Sequence, residues 1–439
     1  MPFAIDLFCG AGGMSEGILQ AGFDILFSSD INEAVQKTYV NRHEQLGLKQ
    51  GINTYYHKAD IKDLTGEFIL DKIKNLEIMK GKDLPNIDAI FGGPPCQGFS
   101  RAGRRDPNDP RNKLFKEYVR VIGEVQPDYV ILENVSGFKD MKLYEFEGVS
   151  GEMYDDCCVP DILKNELDLI NYSMLEPRIL NAADYGVPQR RNRMIVIAYK
   201  EGIKAPNYPA PILNKENYLT IQDAIGDLIG NDNIKNNVNP VYTEYQLESI
   251  NGRTKDINGK TISSNKNMNV DLPKHTQLIK ERFSLFKESE NGAKLKKRIL
   301  KEGIDLSDKT EILKYLQSKT DYSKEELIEK FKNGNVDDKL IQLLLTKKNI
   351  RTRLDRKEPS ATVLTIPDDY ISPFEDRTLT VRECARLQSF DDSFEFLGKR
   401  TTGGKRRRVE IPQYSQVGNA VPPLLAKAIA IEIKKVIED

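Results

Sequence analysis

The chain has 439 residues, of which 39% are hydrophobic and 30% are charged, a length that allows one large domain or two ordinary ones. Its 65 Lys and Arg residues almost balance its 66 Asp and Glu residues. This balance excludes a uniformly basic nucleic-acid coat, so any polyanion must be met by local basic patches.

The composition also argues against membrane, secreted and zinc-dependent classes. No apolar run approaches the roughly 20 residues of a membrane span, and the N-terminal MPFAIDLF lacks the basic region of a secretory signal. The five cysteines form no CxxC motif, which fits a reduced cytosol. The chain has only three histidines, which argues against a zinc site or a histidine-dependent catalytic triad. No metal is therefore expected.

Short apolar runs alternate with helical patterns over residues 1–200. The predicted strands cover residues 3–9, 24–30, 54–60, 87–93, 128–134 and 193–199, and the predicted helices cover 14–22, about 32–42, and 114–125. This alternation predicts an α/β fold with a parallel sheet covered by helices on both faces. In such sheets ligands bind at the carboxyl ends of the strands.

The composition changes after about Tyr199, where a segment rich in Pro and Asn indicates a linker. Thr220 with Asp223 predicts the capped start of a short helix. From there to about Lys348 the chain is rich in Lys, Asn and Asp and shows little periodicity. VRECARLQSF then predicts a helix, and residues 422–438 predict an amphipathic one with prolines at its start.

The first strand-end motif is DLFCGAGGMSEG, residues 6–17. Its glycines let backbone N–H groups approach a ligand, and the N-terminus of the following helix favours an anionic group. Gly10 and Gly12 fit a GxGxxG dinucleotide motif, but Ser15 stands at its third glycine position. The motif is therefore either a ligand-binding loop or a tight structural turn.

Two acids follow the next two predicted strands, namely Asp30 and Asp60. An acid after the second strand can accept hydrogen bonds from ribose hydroxyls, and one after the third can take the amino group of a purine. For each acid the alternative is an N-terminal helix cap.

The motif GGPPCQGFS, residues 92–100, places Cys96 on a rigid loop directly after a buried strand. Rigid placement of a soft nucleophile suits covalent catalysis, and the alternative is an inert, buried cysteine. The motif ENV, residues 133–135, ends another strand and puts Glu133 at the same edge. A partly desolvated carboxyl there could donate a proton to a ring nitrogen, or could form a structural ion pair.

The motif QRRNR, residues 189–193, leads into the last predicted strand. Strand alternation predicts Gln189, Arg191 and Arg193 on one face. Arginines there could bind a carbonyl oxygen or a phosphate, and the alternative is a solvated basic edge.

Taken together, these motifs resemble the C5-cytosine DNA methyltransferase family of the bacterial restriction-modification type. The resemblance covers residues 1–200 and 351–439, in the order DLFCGAGGMSEG, Asp30, Asp60, GGPPCQGFS, DPRNKLFKEYVRV, ENV, QRRNR, RTLTVRECARLQSF and QYSQVGNAVPP. It implies S-adenosylmethionine as the methyl donor and cytosine in duplex DNA as the acceptor. It also implies a Rossmann-like catalytic domain, residues 1–200 and 412–439, and a smaller irregular target-recognition domain, residues 201–411.

The resemblance assigns roles position by position. Cys96 would be the nucleophile, Glu133 would contact the N3 and N4 edge of cytosine, Arg193 its O2, and Arg191 would support the site. The positions that match the family's cofactor pocket are Phe8, Gly10, Ala11, Gly13, Asp30, Ile31, Asp60, Ile61, Pro95, Leu114, Asn419 and Ala420.

The chain departs from the family pattern at three places. Ile31 stands where an aromatic residue often stacks on adenine, and Asp391-Asp392 follows ARLQSF where Pro-Asp is usual, a change expected to alter a loop. The spacer 398–408 is longer than usual, and its Lys405–Arg408 run predicts either phosphate contacts in a hairpin or a solvated loop.

The expected partner is duplex DNA, and no association with a membrane is expected. The protein is expected to be a monomer and to act in the cytoplasm of a prokaryotic cell or of the host cell of a virus. A cognate restriction endonuclease is possible without physical contact. Three alternatives remain open at this point: a tRNA cytosine methyltransferase, a non-catalytic DNA-binding subunit that depends on S-adenosylmethionine, and a nicotinamide dehydrogenase. The intact Cys96, Glu133 and Arg193 argue against the second, and Ser15 argues against the third.

Overall fold

A computed structural model describes residues 1–95, 113–229, 241–264, 268–345, 351–402, 406 and 410–439. In chain order its strands are β1 (Phe3–Leu7), β2 (Asp24–Asp30), β3 (Tyr55–Lys58), β4 (Ala89–Gly92), β5 (Tyr129–Val135), β6 (Lys142–Leu143), β7 (Phe146–Glu147), β8 (Met153–Tyr154), β9 (Cys157–Cys158), β10 (Tyr172–Met174), β11 (Arg178–Asn181), β12 (Asn192–Lys200), β13 (Thr352–Arg353) and β14 (Tyr370–Ile371).

A helix follows each of the first four strands, and further helices occur along the rest of the described chain. The helices are α1 (Gly13–Ala21), α2 (Glu33–Gln45), α3 (Gly66–Lys74), α4 (Leu114–Val125), α5 (Val159–Asp168), α6 (Ile221–Ile225), α7 (Glu244–Asn251), α8 (Gln277–Ser284), α9 (Gly292–Glu302), α10 (Thr310–Gln317), α11 (Lys324–Lys332), α12 (Asp338–Leu345), α13 (Val381–Leu387), α14 (Gln413–Asn419) and α15 (Pro423–Glu438). The capped start at Thr220 and the helix near the end of the chain are as predicted.

The central sheet has the strand order β10-β12-β5-β4-β1-β2-β3, and β11 also pairs with β12. The five strands from β3 to β5 are parallel, as predicted. The predicted parallel pairing does not extend to the other end of the sheet, where β12 runs antiparallel to β5, β10 and β11. Between β11 and β12 the chain forms only a short 3₁₀ turn (Ala182–Tyr185), whereas a parallel return needs a longer crossover, usually a helix.

Alternating side chains of the strands enter two separate cores, one on each face of the sheet. Ile5, Leu26 and Ile90 belong to the core beneath α3, α4 and α5. Their neighbours Ala4, Ile25 and Phe91 belong to the core beneath α1 and α15. This alternation follows from the two-residue period of a strand, and it confirms the predicted helices on both faces.

Helix α1 and the C-terminal helix α15 lie side by side on one face. Gly17 allows their close approach, because a Cβ built there would lie 2.5 Å from the Ala426 Cβ and from the Pro423 carbonyl oxygen. The end of the chain is thereby fixed against the helix that follows the first glycine loop.

Residues 277–345 contain five short helices, although the sequence showed little periodicity there. Their apolar residues form a core of their own, with Leu295 and Ile299 from α9 and Leu327 and Phe331 from α11. Each helix spans only 8 to 11 residues, so each contributes too few apolar positions for a strong helical pattern. Within the described residues, no helix has the length and apolar character needed to span a bilayer.

We predict that Gly17→Ala destabilises the protein by about 1–3 kcal/mol, because the added methyl group has no space between α1 and α15. The matched control is Gly123→Ala in α4, where the nearest atom lies at an ordinary 3.7 Å and helix propensity favours alanine. Urea denaturation measures both variants. Equal midpoints for the two variants would contradict the packing argument.

Candidate active site

The predicted site residues converge at the carboxyl edge of the parallel strands. In the strand pairing, Asp30 lies opposite Lys58, and Gly92 lies opposite both Leu7 and Leu132. The loops that follow these strands therefore leave the sheet at the same edge. Because β12 is antiparallel, its first residues lie at this edge as well, with Arg193 opposite Val135.

The glycine loop after β1 is an open cradle. Gly10 has a φ of 54°, and a Cβ built there would meet nothing within 4 Å. Its N–H donates to the Asp30 carboxylate at 3.0 Å, and the same carboxylate accepts from the Asn32 N–H at 2.9 Å. Burial raises the pKa of Asp30, while these backbone donors oppose the shift. The loop thus presents free backbone space beside a fixed acid.

A second buried acid, Asp6, lies beneath this loop. Ser15, which replaces the third glycine of a dinucleotide motif, donates its hydroxyl to Asp6 Oδ2 and also contacts the Tyr39 hydroxyl at 3.2 Å. Asp6 Oδ1 is buried and has no hydrogen-bond partner among the described residues. Burial and the nearby Asp30 raise the pKa of Asp6 to about 7, against the opposing effect of Ser15.

The remaining predicted cofactor positions surround the cradle. Asp60 caps a 3₁₀ turn and accepts a hydrogen bond from the Lys62 N–H at 3.1 Å. The capping role, which the sequence offered as the alternative to ligand binding, is therefore present. Ile31 is 65% exposed beside Asp30, so it offers an apolar surface to a ligand. Three others pack partly or wholly into the sheet core, namely Phe8, Ile61 and Leu114.

The loop after β4 explains why its motif begins with two glycines. A Cβ at Gly92 would lie 2.5 Å from the Tyr118 ring, and one at Gly93 would lie 3.3 Å from Glu133 Oε2. The Asn134 side chain donates to the Pro94 carbonyl at 3.2 Å. Sequence reasoning missed this role of Asn134, although the residue lies inside the ENV motif. The start of the loop, from Gly93 to Pro94, is thus held beside Glu133. The predicted nucleophile Cys96 lies outside the described residues.

Glu133 and Arg193 form an ion pair at this edge, with 2.6 Å between Glu133 Oε1 and Arg193 Nε. Both side chains are largely buried, with 11% and 13% of their surfaces exposed. Burial from water strengthens the electrostatic attraction within such a pair. A carboxyl and a guanidinium are thereby presented together next to the Gly93–Pro95 loop.

Comparison with known proteins identifies the family. The sequence profile described as C-5 cytosine-specific DNA methylase matches residues 3–435. The chain belongs to this family. The family predicted from the motifs is therefore confirmed, and the protein is a cytosine-5 DNA methyltransferase.

Similar proteins match over nearly the whole chain. The type II methyltransferase M1.HphI of Haemophilus parahaemolyticus is 31% identical over 435 residues, which cover 98% of this chain and 86% of that protein. M.DdeI of Desulfomicrobium norvegicum is 30% identical over 440 residues, with 98% and 88% covered. A prophage-encoded E. coli protein described as a DNA modification methyltransferase has 22% identity, a TM-score of 0.63 and full coverage of both chains, which shows a shared fold.

In this methyltransferase the three predicted residues of QRRNR do not act as one strand face. Strand β12 begins only at Asn192, so Gln189 and Arg191 precede it and are buried. Arg191 donates to the carbonyl oxygens of Val363, Gly418 and Ala420 at 3.2, 2.9 and 3.1 Å. Its contacts therefore brace the turn that carries the predicted cofactor residues Asn419 and Ala420.

Gln388, which sequence reasoning also missed, completes this brace. Its side-chain amide donates to the Val417 carbonyl at 2.8 Å and accepts from Gln189 Nε2 at 2.9 Å. Asn419 is exposed at the tip of the braced turn, and a Cβ at Gly13 would lie 2.9 Å from the Ala420 Cβ. The turn therefore packs directly on the start of α1, beside the cradle.

We predict that the stability of Asp6→Asn relative to the wild type increases from about pH 4 to about pH 7. An acid whose pKa is about 7 when folded and 3.8 when unfolded binds more protons in the folded state, so wild-type stability falls as pH rises across this window. The asparagine lacks this dependence. Denaturation at several pH values measures it, with the exposed Asp83→Asn as control. Parallel profiles for wild type and Asp6→Asn would refute it.

We predict that Arg191→Lys lowers the free energy of unfolding by about 1–3 kcal/mol, because an ammonium cannot reach three carbonyl oxygens in the fork geometry of a guanidinium. The adjacent Arg190→Lys is the control, since Arg190 is half-exposed and pairs with the half-exposed Glu358. Thermal denaturation compares the two variants. A loss at Arg190 as large as at Arg191 would contradict the bracing role.

Proposed function

We propose that this methyltransferase transfers a methyl group from S-adenosylmethionine to C5 of a flipped-out cytosine in a specific duplex DNA sequence. The observation that carries this proposal is the Glu133–Arg193 pair beside the Gly93–Pro95 loop. A role as the modification half of a restriction-modification system is supported by the names of the similar type II methyltransferases.

The residues of the cradle fit the methyl donor. Gly10 leaves backbone space, and Asp30 is an acceptor suited to ribose hydroxyls. Asp6 Oδ1, which has no hydrogen-bond partner within the described part of the chain, is a buried acceptor suited to a cationic group. Asp60 and Ile31 would flank the adenine ring, and Ala11, Gly13 and the 419–420 turn would close the pocket. When bound, S-adenosylmethionine supplies the activated methyl group.

The chain's own residues would activate the cytosine. C5 of cytosine is a poor nucleophile until the Cys96 thiolate adds to C6, which turns the ring into an enamine-like species. Glu133 would hold a proton at N3, and Arg193 would donate to O2, so both would stabilise the charge that develops in this addition. Loss of the C5 proton after methyl transfer then expels the thiolate. The stacked duplex blocks this attack, so the base must be flipped out.

The recognition of DNA is assigned to residues 201–411, and the catalytic part to residues 1–200 and 412–439. These bounds rest on the family resemblance. Within the first range, residues 277–345 carry their own hydrophobic core, so they offer a preformed surface to the DNA.

We predict that Cys96→Ala and Glu133→Gln both lose methylation of duplex DNA, the second by about 100- to 10,000-fold, because a general acid contributes about this factor. Both should bind S-adenosylhomocysteine nearly as well as the wild type. The control is Glu147→Gln, an exposed carboxylate on β7, which should stay fully active. Methyl transfer to plasmid DNA, followed by bisulfite sequencing, measures the activity and the target sequence.

A second assay tests the covalent step directly. The wild type should form a denaturant-resistant adduct with duplex DNA that contains 5-fluorocytosine, and Cys96→Ala should form none. Methylation by Cys96→Ala would refute the nucleophile assignment. Methyl transfer to tRNA and not to DNA would refute the proposed DNA substrate but would leave the proposed covalent mechanism intact.

A further inference from the structure

A buried charged cluster lies outside the residues assigned to the reaction. Glu16, in the first turn of α1, binds the Arg42 guanidinium through both carboxylate oxygens, at 2.8 and 3.0 Å. The Thr254 hydroxyl donates to the same carboxylate, and Gln20 Nε2 donates to the Thr254 hydroxyl at 3.0 Å. Glu16, Arg42 and Thr254 are all at most 2% exposed, so their contacts are shielded from water.

The cluster continues through Asp391, the first residue of the Asp-Asp pair that departs from the family pattern. Asp391 is fully buried and accepts from the Arg253 N–H at 2.7 Å, the Arg253 guanidinium at 2.9 Å and the Thr254 N–H at 3.2 Å. Arg42 Nη2 lies 3.9 Å from Asp391 Oδ2, the oxygen that accepts the two backbone N–H groups. Arg253 and Thr254 are thus inserted between α1 and the loop after α13.

Arg253 and Thr254 belong to residues 241–264, far from α1 in the sequence. This segment begins with α7 and ends in a turn whose Ile257 N–H donates to the Leu46 carbonyl at the end of α2. The first of the helices of residues 277–345 begins further along the chain, at Gln277. We name residues 253–254 the clasp, because they join this segment to α1.

The clasp acts on the helix that carries the glycine cradle. Gly12 is the N-cap of α1, and the Glu16 N–H donates to the Gly12 carbonyl at 3.0 Å. At the other side of this first turn, Gly13 packs on the Val421 carbonyl with no space for a Cβ. The first turn of α1 is therefore held at three residues. Gly13 packs on the Val421 carbonyl, Ser15 donates to Asp6, and Glu16 is bound by Arg42 and by the clasp.

We propose that Arg253 and Thr254 are positioning residues for the S-adenosylmethionine site, so that residues 241–264 set the affinity for the methyl donor. This inference rests on the proposed function, because it takes the cradle to be the donor site. The Thr254 hydroxyl orients Glu16, and Arg253 anchors the clasp on Asp391. Loss of the Thr254 contact leaves the Glu16 carboxylate held, among the described residues, by Arg42 alone. Loss of the Arg253 side-chain contact leaves the clasp joined to Asp391 only through its backbone N–H groups.

The experiment measures the Kd of S-adenosylhomocysteine by calorimetry, well below the melting temperature of each variant. Thr254→Val keeps the side-chain shape but removes the donor, and we expect a Kd about 5- to 20-fold above wild type. Thr254→Ser keeps the hydroxyl and should restore the wild-type Kd. Thr261→Val, at an exposed threonine of the same segment, should leave the Kd unchanged.

A second variant and a second readout separate positioning from general loosening. Arg253→Lys keeps the charge but shortens the arm to Asp391, so its Kd should also increase by about 3- to 10-fold. The affinity for duplex DNA without cofactor should stay within about twofold of wild type in each variant.

A Thr254→Val Kd within twofold of wild type would overturn the inference and leave the proposed function intact. A DNA affinity that falls as much as the cofactor affinity would overturn it too, since the clasp would then only stabilise the fold. A wild-type chain that binds no S-adenosylhomocysteine would instead remove the proposed function and the inference together.

Discussion

The direction of β12 is the constraint on which the Glu133–Arg193 ion pair depends. Because β12 runs antiparallel to β5, it begins at the edge where the parallel strands end, and Arg193 lies next to Glu133. If β12 ran parallel to β5, it would begin at the opposite edge of the sheet, and Arg193 would lie far from Glu133. The short return from β11 sets this direction, so a local feature of the chain brings together two residues 60 positions apart.

Close approaches of the backbone hold the edge in place around this pair. Gly92 makes room for the Tyr118 ring, whose hydroxyl donates to the Ile90 and Ile131 carbonyl oxygens and so ties β4 to β5. Gly93 makes room for the Glu133 carboxylate. The glycines of the motif therefore have two different functions, since the first serves the packing of the sheet and the second serves the carboxylate.

Local sequence signals predicted the parts of the fold that local physics determines. Strand 24–30 and helix 114–125 have the predicted bounds, because each has an uninterrupted pattern with clear ends. The direction of β12 and the helices of residues 277–345 could not be predicted in the same way. The first depends on strand pairing across the sheet, and the second are short helices whose apolar residues find partners only in a shared core.

Long-range partners also separate two arginines that look alike in the sequence. Arg191 and Arg193 are two residues apart, yet Arg191 braces carbonyl oxygens of a distant turn and Arg193 pairs with Glu133. The same residue type thus braces a turn at one position and forms an ion pair at the candidate site at the other, and only the long-range partners distinguish the two. Other charged residues also have structural partners in the interior, in buried contacts such as Glu16–Arg42 and Asp391–Arg253.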